Sequence, residues 1–77
     1  MPRCVLGKYI ELAYVARMLG VTSVYLRRLC RRGELVCRTM FGEYVIEIDS
    51  LRRFMEKNMD RELAEEIMNR IMEVCLQ

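Results

Sequence analysis

The sequence predicts a mainly α-helical domain with one small β-hairpin, which is an α+β fold class. Three observations predict it: apolar residues recur at helical spacing over residues 12–19, 23–32 and 61–76, β-branched and aromatic residues flank Gly42, and glycines separate these stretches. A chain of 77 residues buries only about 60% of its unfolded surface, so we expect one small core. Because no run of about 18 apolar residues occurs, no membrane-spanning helix is expected.

The first two helices are predicted to form a helix-turn-helix motif. Gly20 suits the left-handed end of the first helix, and Thr22 is a suitable N-cap for the second. Ala16 is small enough to let the helices cross closely, and a turn of about three residues is typical of this motif. The predicted buried positions of the pair are all aliphatic: Val15, Leu19, Val21, Leu26 and Leu29.

A β-hairpin is predicted directly after the second helix. It pairs residues 36–39 with residues 43–48, and Gly42 supplies the positive φ that its tight turn needs. The second strand alternates in the manner of a half-buried strand, with Tyr44, Ile46 and Ile48 on one face and Val45 and Glu47 on the other. Phe41, at the tip, either inserts into a groove of a partner or covers its own turn.

Two helices are predicted to follow the hairpin. Asp49 caps the third, which ends at Asn58, and Asp60 caps the fourth, over residues 61–76. Apolar residues cover about 220° of the fourth helix, whereas packing on one small domain needs little more than 100°. The surplus favours a homodimer through this helix, and a fold that covers more of the helix than usual is the alternative. The predicted dimerisation residues are Leu63, Ile67, Met68, Ile71, Met72 and Cys75.

Charge is divided unevenly along the chain, although the net charge is only +2. Residues 1–57 hold eleven Lys and Arg against six Asp and Glu, a balance of +5, whereas residues 58–77 hold two against five, a balance of −3. The positive charge is densest between Arg27 and Arg38. A basic front and an acidic tail are typical of a protein with one nucleic-acid-binding face and a second face that has another role.

The second helix carries most of this positive charge, on Arg27, Arg28, Arg31 and Arg32. A turn of 100° per residue directs Arg28 and Arg31 away from the core, together with Val24. A solvated helix face usually places acids three or four residues from its bases, but the nearest acid, Glu34, lies beyond the helix. The pattern therefore favours a surface for an anion, with a solvated face as the alternative. An arginine fork suits both guanine and phosphate.

The four cysteines, Cys4, Cys30, Cys37 and Cys75, form no CxxC pair, and the chain has no histidine. Neither a metal site nor a cysteine nucleophile is therefore predicted, and no enzyme activity, cofactor or small-molecule substrate is expected. Free, buried thiols are the favoured interpretation, because disulfides need an oxidising compartment or a hyperthermophilic host. Eleven arginines against two lysines are a weak sign of such a host, whereas seven methionines and four cysteines are a sign against it.

The stretch "YIELAYVARMLGVTSVYLRRLCRRGEL", residues 9–35, resembles the MerR-like and excisionase-like winged helix-turn-helix family. The most specific features are Ala16-x-x-Leu19-Gly20-Val21 and the twelve-residue step from Val21 to Gly33, and the resemblance extends to about residue 56. It implies that residues 23–32 enter the major groove of duplex DNA and that residues 36–48 form a wing on the flanking backbone. Two positions depart from the family pattern: Val45 stands where a wing arginine is common, and Glu11 where a Ser or Thr N-cap is usual.

The resemblance also implies which residues contact DNA. They are Thr22, Ser23, Val24, Tyr25, Arg27, Arg28, Arg31, Arg32, Arg38 and Tyr44. We therefore expect a cytoplasmic, sequence-specific binder of double-stranded DNA that regulates transcription, with a DNA-binding domain at 1–58 and a dimerisation element at 59–77. Two alternatives stay open: an excisionase-type architectural factor that bends DNA for a recombinase, and a protein-interaction module that does not bind DNA.

Overall fold

The computed structural model describes residues 4–76, and this part of the chain contains four α-helices and four short β-strands. In chain order they are β1 (Cys4–Val5), β2 (Tyr9–Glu11), α1 (Leu12–Leu19), α2 (Ser23–Arg31), β3 (Cys37–Met40), β4 (Glu43–Glu47), α3 (Ile48–Asn58) and α4 (Arg61–Cys75). The predicted fold class is confirmed. The helix-turn-helix, the hairpin and the two following helices occur in the predicted order.

The strands form one antiparallel sheet in the order β1-β2-β4-β3. The predicted hairpin is β3–β4, and its last pair, Met40 with Glu43, leaves the two-residue turn Phe41-Gly42. Gly42 has a φ of 76°, so its predicted positive φ is confirmed. The sequence did not predict β1 and β2, which continue the sheet beyond β4 and make β4 an inner strand.

Burial on β4 differs from the predicted alternation, because Tyr44 is exposed and both Val45 and Ile46 are buried. Ile46 faces the main core. Val45 lies on the opposite face of the sheet, where the register places Glu11 and Arg38 as its neighbours. Because β4 has a paired strand on each edge, side chains of both neighbours flank Val45, whereas the predicted alternation assumed that only one face of the strand is covered.

A single core joins all four helices to the sheet. Its largest fully buried side chains come from β2, α1, α2, the α2–β3 connection, β4, α3 and α4: Ile10, Val15, Leu26, Leu35, Ile46, Leu51, Met55 and Ile71. At about 25 cal/mol per Å² of apolar surface, burial of each such side chain contributes about 1.5–3 kcal/mol to folding. The core therefore fixes α2 against both the sheet and α1.

The predicted turn between α1 and α2 is confirmed at its two defining residues. Gly20 is left-handed, with a φ of 70°, and the Thr22 hydroxyl accepts a 3.0 Å hydrogen bond from the backbone N–H of Tyr25. Val21, however, was predicted to be buried and is exposed, while Leu19 is only partly buried. The amide of Val21 donates to the Ala16 carbonyl at 3.0 Å, which closes the turn and leaves the valine at its outer edge.

The start of α3 also differs from the prediction. The helix begins at Ile48, and Asp49 lies in its first turn, where its carboxylate pairs with Arg52 at 3.1 Å instead of capping the helix. The buried residue here is Ser50. Its hydroxyl donates to the Glu47 carbonyl at 2.8 Å and accepts from the Val36 amide at 3.0 Å, which joins α3 to the start of the wing. The predicted end of α3, at Asn58, is confirmed.

All four cysteines are paired, in the disulfides Cys4–Cys75 and Cys30–Cys37. The interpretation as free thiols is therefore wrong. The first bond joins β1 to the end of α4, with Cα atoms 5.4 Å apart, and the second joins the end of α2 to the start of β3, with Cα atoms 5.7 Å apart. Both pairs meet through tertiary contacts, which sequence spacing does not reveal.

Candidate nucleic-acid interface

The outward face of α2 is the most basic surface of the helix-turn-helix motif. Leu26 and Leu29 are buried on the inner face and fix the rotation of the helix. That rotation leaves Val24, Arg28 and Arg31 exposed along the outer face, as the helical spacing predicted. Tyr25 is exposed beside them, so the surface combines an aromatic ring and an aliphatic side chain with guanidinium groups.

The exposed arginines of α2 have little local neutralisation. Within the part of the chain that the structure describes, Arg28 and Arg31 form no ion pair. Arg32, which caps the end of α2, lies 3.4 Å from the Glu34 carboxylate in a solvent-exposed contact. A pair of this kind contributes at most about 1 kcal/mol, so it does not compete strongly with a phosphate. The helix therefore presents positive charge to solvent.

The wing stands beside α2 and is attached to it at two points. Cys30 is bonded to Cys37 at the base of the wing, and the Arg27 guanidinium lies 5.6 Å from the centre of the Tyr44 ring, a cation–π geometry. Arg27 is accordingly half-buried, unlike its neighbour Arg28. The wing is thus attached to the helix by one covalent bond and one side-chain contact.

A shallow groove of about 300 Å³ separates α2 from the wing. Its walls include Arg27 and Arg31 from the helix and Arg38, Thr39 and Tyr44 from the wing. Two predicted wing residues, Arg38 and Tyr44, therefore share one groove with two predicted helix residues. Arg38 is exposed on β3 and extends the basic surface from the helix to the wing.

The N-terminal turn of α2 completes the candidate interface. Thr22 is exposed and Ser23 is half-buried. The N–H groups of the first helical turn have no acceptor within the helix. The Thr22 hydroxyl accepts the one from Tyr25, and those of Ser23 and Val24 point away from the helix. Such amides are suited to a phosphate oxygen. All ten predicted DNA-binding residues thus lie on α2, at one of its two ends or on the adjoining wing.

The family model described as a helix-turn-helix domain matches residues 9–59 of the 77-residue chain. The chain belongs to the helix-turn-helix domain family. Membership supports DNA binding and confirms the family resemblance carried by α1, α2 and the hairpin. A search of curated proteins and a search of solved structures each gave no match.

Two features of this helix-turn-helix protein were missed by sequence reasoning, the Cys30–Cys37 bond and the Arg27–Tyr44 contact. The one available signal for the bond was the separation of seven residues between a helix end and a strand start. Val45, the departure from the family pattern, is fully buried and does not reach the surface of the wing. Glu11, the second departure, occupies the N-cap of α1 without a side-chain capping bond.

Most of the predicted dimerisation residues contact other residues of the same chain. Ile67, Met68 and Ile71 are buried in the core, and Cys75 is bonded to Cys4. Leu63 and Met72 are exposed. They lie nine residues apart, which is half a turn around the helix, so they flank the buried stripe of α4 on opposite sides.

No group of three or more His, Cys, Asp or Glu in residues 4–76 is arranged to hold a metal ion. No helix in the same range is long and apolar enough to cross a bilayer.

Proposed function

We propose that the chain is a sequence-specific DNA-binding protein that regulates transcription, with α2 in the major groove and the β3–β4 wing on the flanking backbone. The observation that carries the proposal is the outward face of α2, where Arg28 and Arg31 are exposed and form no ion pair within residues 4–76. Like charges one turn apart repel each other by a few tenths of a kcal/mol, and a bound phosphate relieves that repulsion.

Each part of the interface has a separate role in this proposal. Arg28, at the centre of the outward face, pairs with a guanine edge, since its planar fork matches O6 and N7. The free amides at the start of α2 and the exposed Arg38 on the wing bind phosphates and fix the register of the helix. The rigid attachment of the wing to α2 means that little order has to be gained on binding.

The proposed function also implies a location in the cell. A transcriptional regulator works in the cytoplasm of a cell without a nucleus, where disulfides are rare except in hyperthermophiles. The two disulfides are therefore unusual for a protein of this compartment outside such a host.

Selection of bound duplexes from a random pool, followed by salt titration of the selected duplex, tests the proposal. Arg28→Ala is expected to weaken binding to that duplex by about 1–3 kcal/mol and to relax the base preference at one position. Arg32→Ala is expected to weaken all duplexes alike and to lower the slope of log K against log salt by about one. Arg70→Ala is the matched control, because Arg70 is an exposed arginine on α4, outside this surface.

The same experiment distinguishes sequence-specific DNA binding from the protein-interaction alternative. A module that does not read DNA is expected to yield no enriched sequence and to bind every duplex at the non-specific level of about 10⁻⁴–10⁻⁶ M at physiological salt. Equal affinity of the wild type, the Arg28 variant and the Arg70 variant for a selected duplex would contradict the role of α2.

A further inference from the structure

The Cys30–Cys37 disulfide lies in the wall of the groove between α2 and the wing. Both cysteines line that groove and both are only partly buried, so the bond is open to a small thiol from the solvent side. It joins the last turn of α2 to the first residue of β3, with Cα atoms 5.7 Å apart. The proposed DNA-binding surface therefore contains a covalent bond that a reagent in solution can open.

Positive charge surrounds this bond. Arg27, Arg31 and Arg38 line the same groove. Arg31 and Arg38 each directly follow one of the two cysteines in the chain. Guanidinium groups favour the thiolate form of a cysteine, and a disulfide whose reduced form is stabilised is easier to reduce. The groove therefore favours opening of the bond by a thiol.

The second disulfide has a less favourable setting for reduction. Cys30 and Cys75 each lie in the last turn of a helix, where free carbonyl groups disfavour a thiolate. Arg28 and Arg31 lie in that turn of α2, whereas the last turn of α4, which is within the described range, contains no basic residue. A thiolate at Cys75 therefore has less compensation from positive charge than one at Cys30, so the bond to Cys4 is expected to be harder to reduce.

The fold holds the two groove cysteines close together without their bond. In the segment between α2 and β3, the amides of Glu34 and Leu35 donate to the Leu29 carbonyl at 3.0 and 3.4 Å, and the Val36 amide donates to the Ser50 hydroxyl at 3.0 Å. These hydrogen bonds do not involve the sulfurs, so reduction leaves the two thiols near enough to re-form the disulfide. A bond with a sequence separation of seven also adds less stability than one that closes a long loop.

We propose that the Cys30–Cys37 disulfide is a site of reversible thiol–disulfide exchange through which a dithiol controls DNA binding. This inference depends on the proposed DNA binding by α2 and adds a regulation of that surface. A thiolate of the dithiol attacks one of the two sulfurs and breaks the S–S bond, which gives a mixed disulfide. The second thiolate of the dithiol attacks the dithiol's own sulfur in this intermediate and releases the protein cysteine. Two electrons and two protons thus pass to the two cysteines, and the dithiol becomes a disulfide.

Reduction changes the interface in two ways. β3 is an edge strand that pairs with β4, so the open wing keeps the Arg27–Tyr44 contact as its described side-chain attachment to α2. A thiolate among the arginines also cancels part of the charge that attracts phosphate. Both changes weaken DNA binding, and oxidation reverses both. In the cytoplasm of a mesophile, disulfides are usually transient and serve catalysis or redox sensing, which agrees with this role.

The first experiment places the oxidised full chain in dithiothreitol buffers with an increasing ratio of dithiol to disulfide. Alkylation of free thiols, followed by mass spectrometry of peptides, measures the open fraction of each bond in the absence of DNA. Cys30–Cys37 is expected to open at a ratio at least about tenfold lower than the other bond, which is about 30 mV for a two-electron exchange. Arg38→Gln is expected to raise the ratio that this bond requires. Arg70→Gln removes an exposed charge from α4 and is the matched control.

The second experiment measures the affinity for the selected duplex in the same buffers. At a ratio where only Cys30–Cys37 is open, the dissociation constant is expected to rise about fivefold and to return to its first value on reoxidation. The variant Cys30→Ser, Cys37→Ser is expected to lose this dependence on the buffer, whereas Cys4→Ser, Cys75→Ser is expected to retain it. Circular dichroism checks that the partly reduced chain remains folded.

The outcomes separate this proposal from the function on which it depends. Opening of both bonds at the same ratio, or loss of helical signal when the first bond opens, overturns the exchange site. Equal affinity of the oxidised and partly reduced chains for the selected duplex overturns the control of binding and leaves DNA recognition by α2 intact. Absence of any enriched duplex for the oxidised chain overturns the proposed function as well, and the alkylation experiment identifies this case because it needs no DNA.

Discussion

At the scale of single residues, the carboxylate of Glu34 reduces the positive charge of the basic surface. Glu34 lies 3.4 Å from Arg32, and both side chains are well exposed, so their ion pair contributes little to stability. The same carboxylate repels any phosphate that approaches the end of α2. Glu34 therefore weakens DNA binding without stabilising the fold appreciably.

We predict that Glu34→Gln strengthens binding to selected and random duplexes alike. Arg32 already contacts a phosphate in the proposed complex, so loss of the Glu34 charge removes a repulsion and should tighten binding by at most about 1 kcal/mol. Fluorescence anisotropy at one fixed salt concentration measures this affinity. Glu66→Gln, an exposed site on α4, is the control and should leave the affinity unchanged. Equal tightening in both variants would indicate a general charge effect instead of a local effect beside Arg32.

Residue-level predictions were correct where the backbone conformation of one residue decides the outcome. Gly20, Thr22 and Gly42 take the roles expected of them, because left-handed turns and N-caps accept few residue types. The prediction for Asp49 was wrong because Ser50 is shared between α3 and the segment before β3. That hydrogen bond spans 14 residues, and no local preference reports it.

At the scale of secondary-structure elements, the joint between α2 and the wing controls the shape of the interface. The Cys30–Cys37 bond closes a short loop of seven residues' separation and fixes β3 at the end of α2. The chain-entropy relation assigns such a loop about 2 kcal/mol of stabilisation. Its larger consequence for binding is that the wing and α2 approach DNA with their relative orientation already set.

The double variant Cys30→Ser, Cys37→Ser is predicted to lower both stability and DNA affinity. Loss of the crosslink leaves the Arg27–Tyr44 contact as the remaining side-chain attachment described between α2 and the wing. We expect the dissociation constant for the selected duplex to rise about fivefold, which is about 1 kcal/mol of ordering at the wing. Calorimetry and anisotropy measure the two effects, and unchanged affinity would show that the wing does not need this bond.

The helices and the β3–β4 hairpin were predictable from the sequence, whereas the strands β1 and β2 were not. The helices α1, α2 and α4 each contain at least two turns, so their apolar positions repeat often enough to reveal the period. β1 and β2 contain two and three residues, too few for an alternating pattern. β2 is a strand because it pairs with β4, far along the chain, and β1 is a strand because it pairs with β2.

At the scale of the whole molecule, the Cys4–Cys75 disulfide ties the two ends of the fold together. The bond has a sequence separation of 71 residues and joins the edge strand β1 to α4. A loop of this length corresponds to about 4 kcal/mol in the chain-entropy relation. For so small a core, this is a large fraction of the usual net stability of about 5–15 kcal/mol.

We therefore predict that Cys4→Ser, Cys75→Ser lowers the free energy of unfolding by about 2–4 kcal/mol and leaves DNA affinity unchanged. The Cys30–Cys37 double variant is its matched control, because it removes the other disulfide and is expected to show a smaller loss of stability with a loss of affinity. Denaturant titration gives the first quantity and anisotropy the second. If both variants lost affinity equally, global destabilisation would account for the effect.

Dimerisation through α4 stays a prediction, and the contacts of α4 with the core determine which variants can test it. Removal of α4 is not a clean test, because Ala64, Ile67 and Ile71 belong to the core. Leu63 and Met72 are exposed on opposite sides of α4, so one contact surface of a second copy can cover only one of them. Met72 lines a groove of about 500 Å³ between α3 and α4, together with Ala64 and Met68 and with charged residues that include Arg52 and Glu65.

We expect Met72→Glu to convert a dimer to a monomer and Leu63→Glu to leave the assembly unchanged, since a charge in a buried apolar contact is costly. Sedimentation equilibrium over a wide range of concentrations measures the mass, and circular dichroism checks that both variants fold. A wild-type chain that sediments as a monomer throughout would contradict the prediction. In that case the apolar arc of α4 serves only to hold the helix on its own core, and two copies meet only on DNA whose half-sites bring them together.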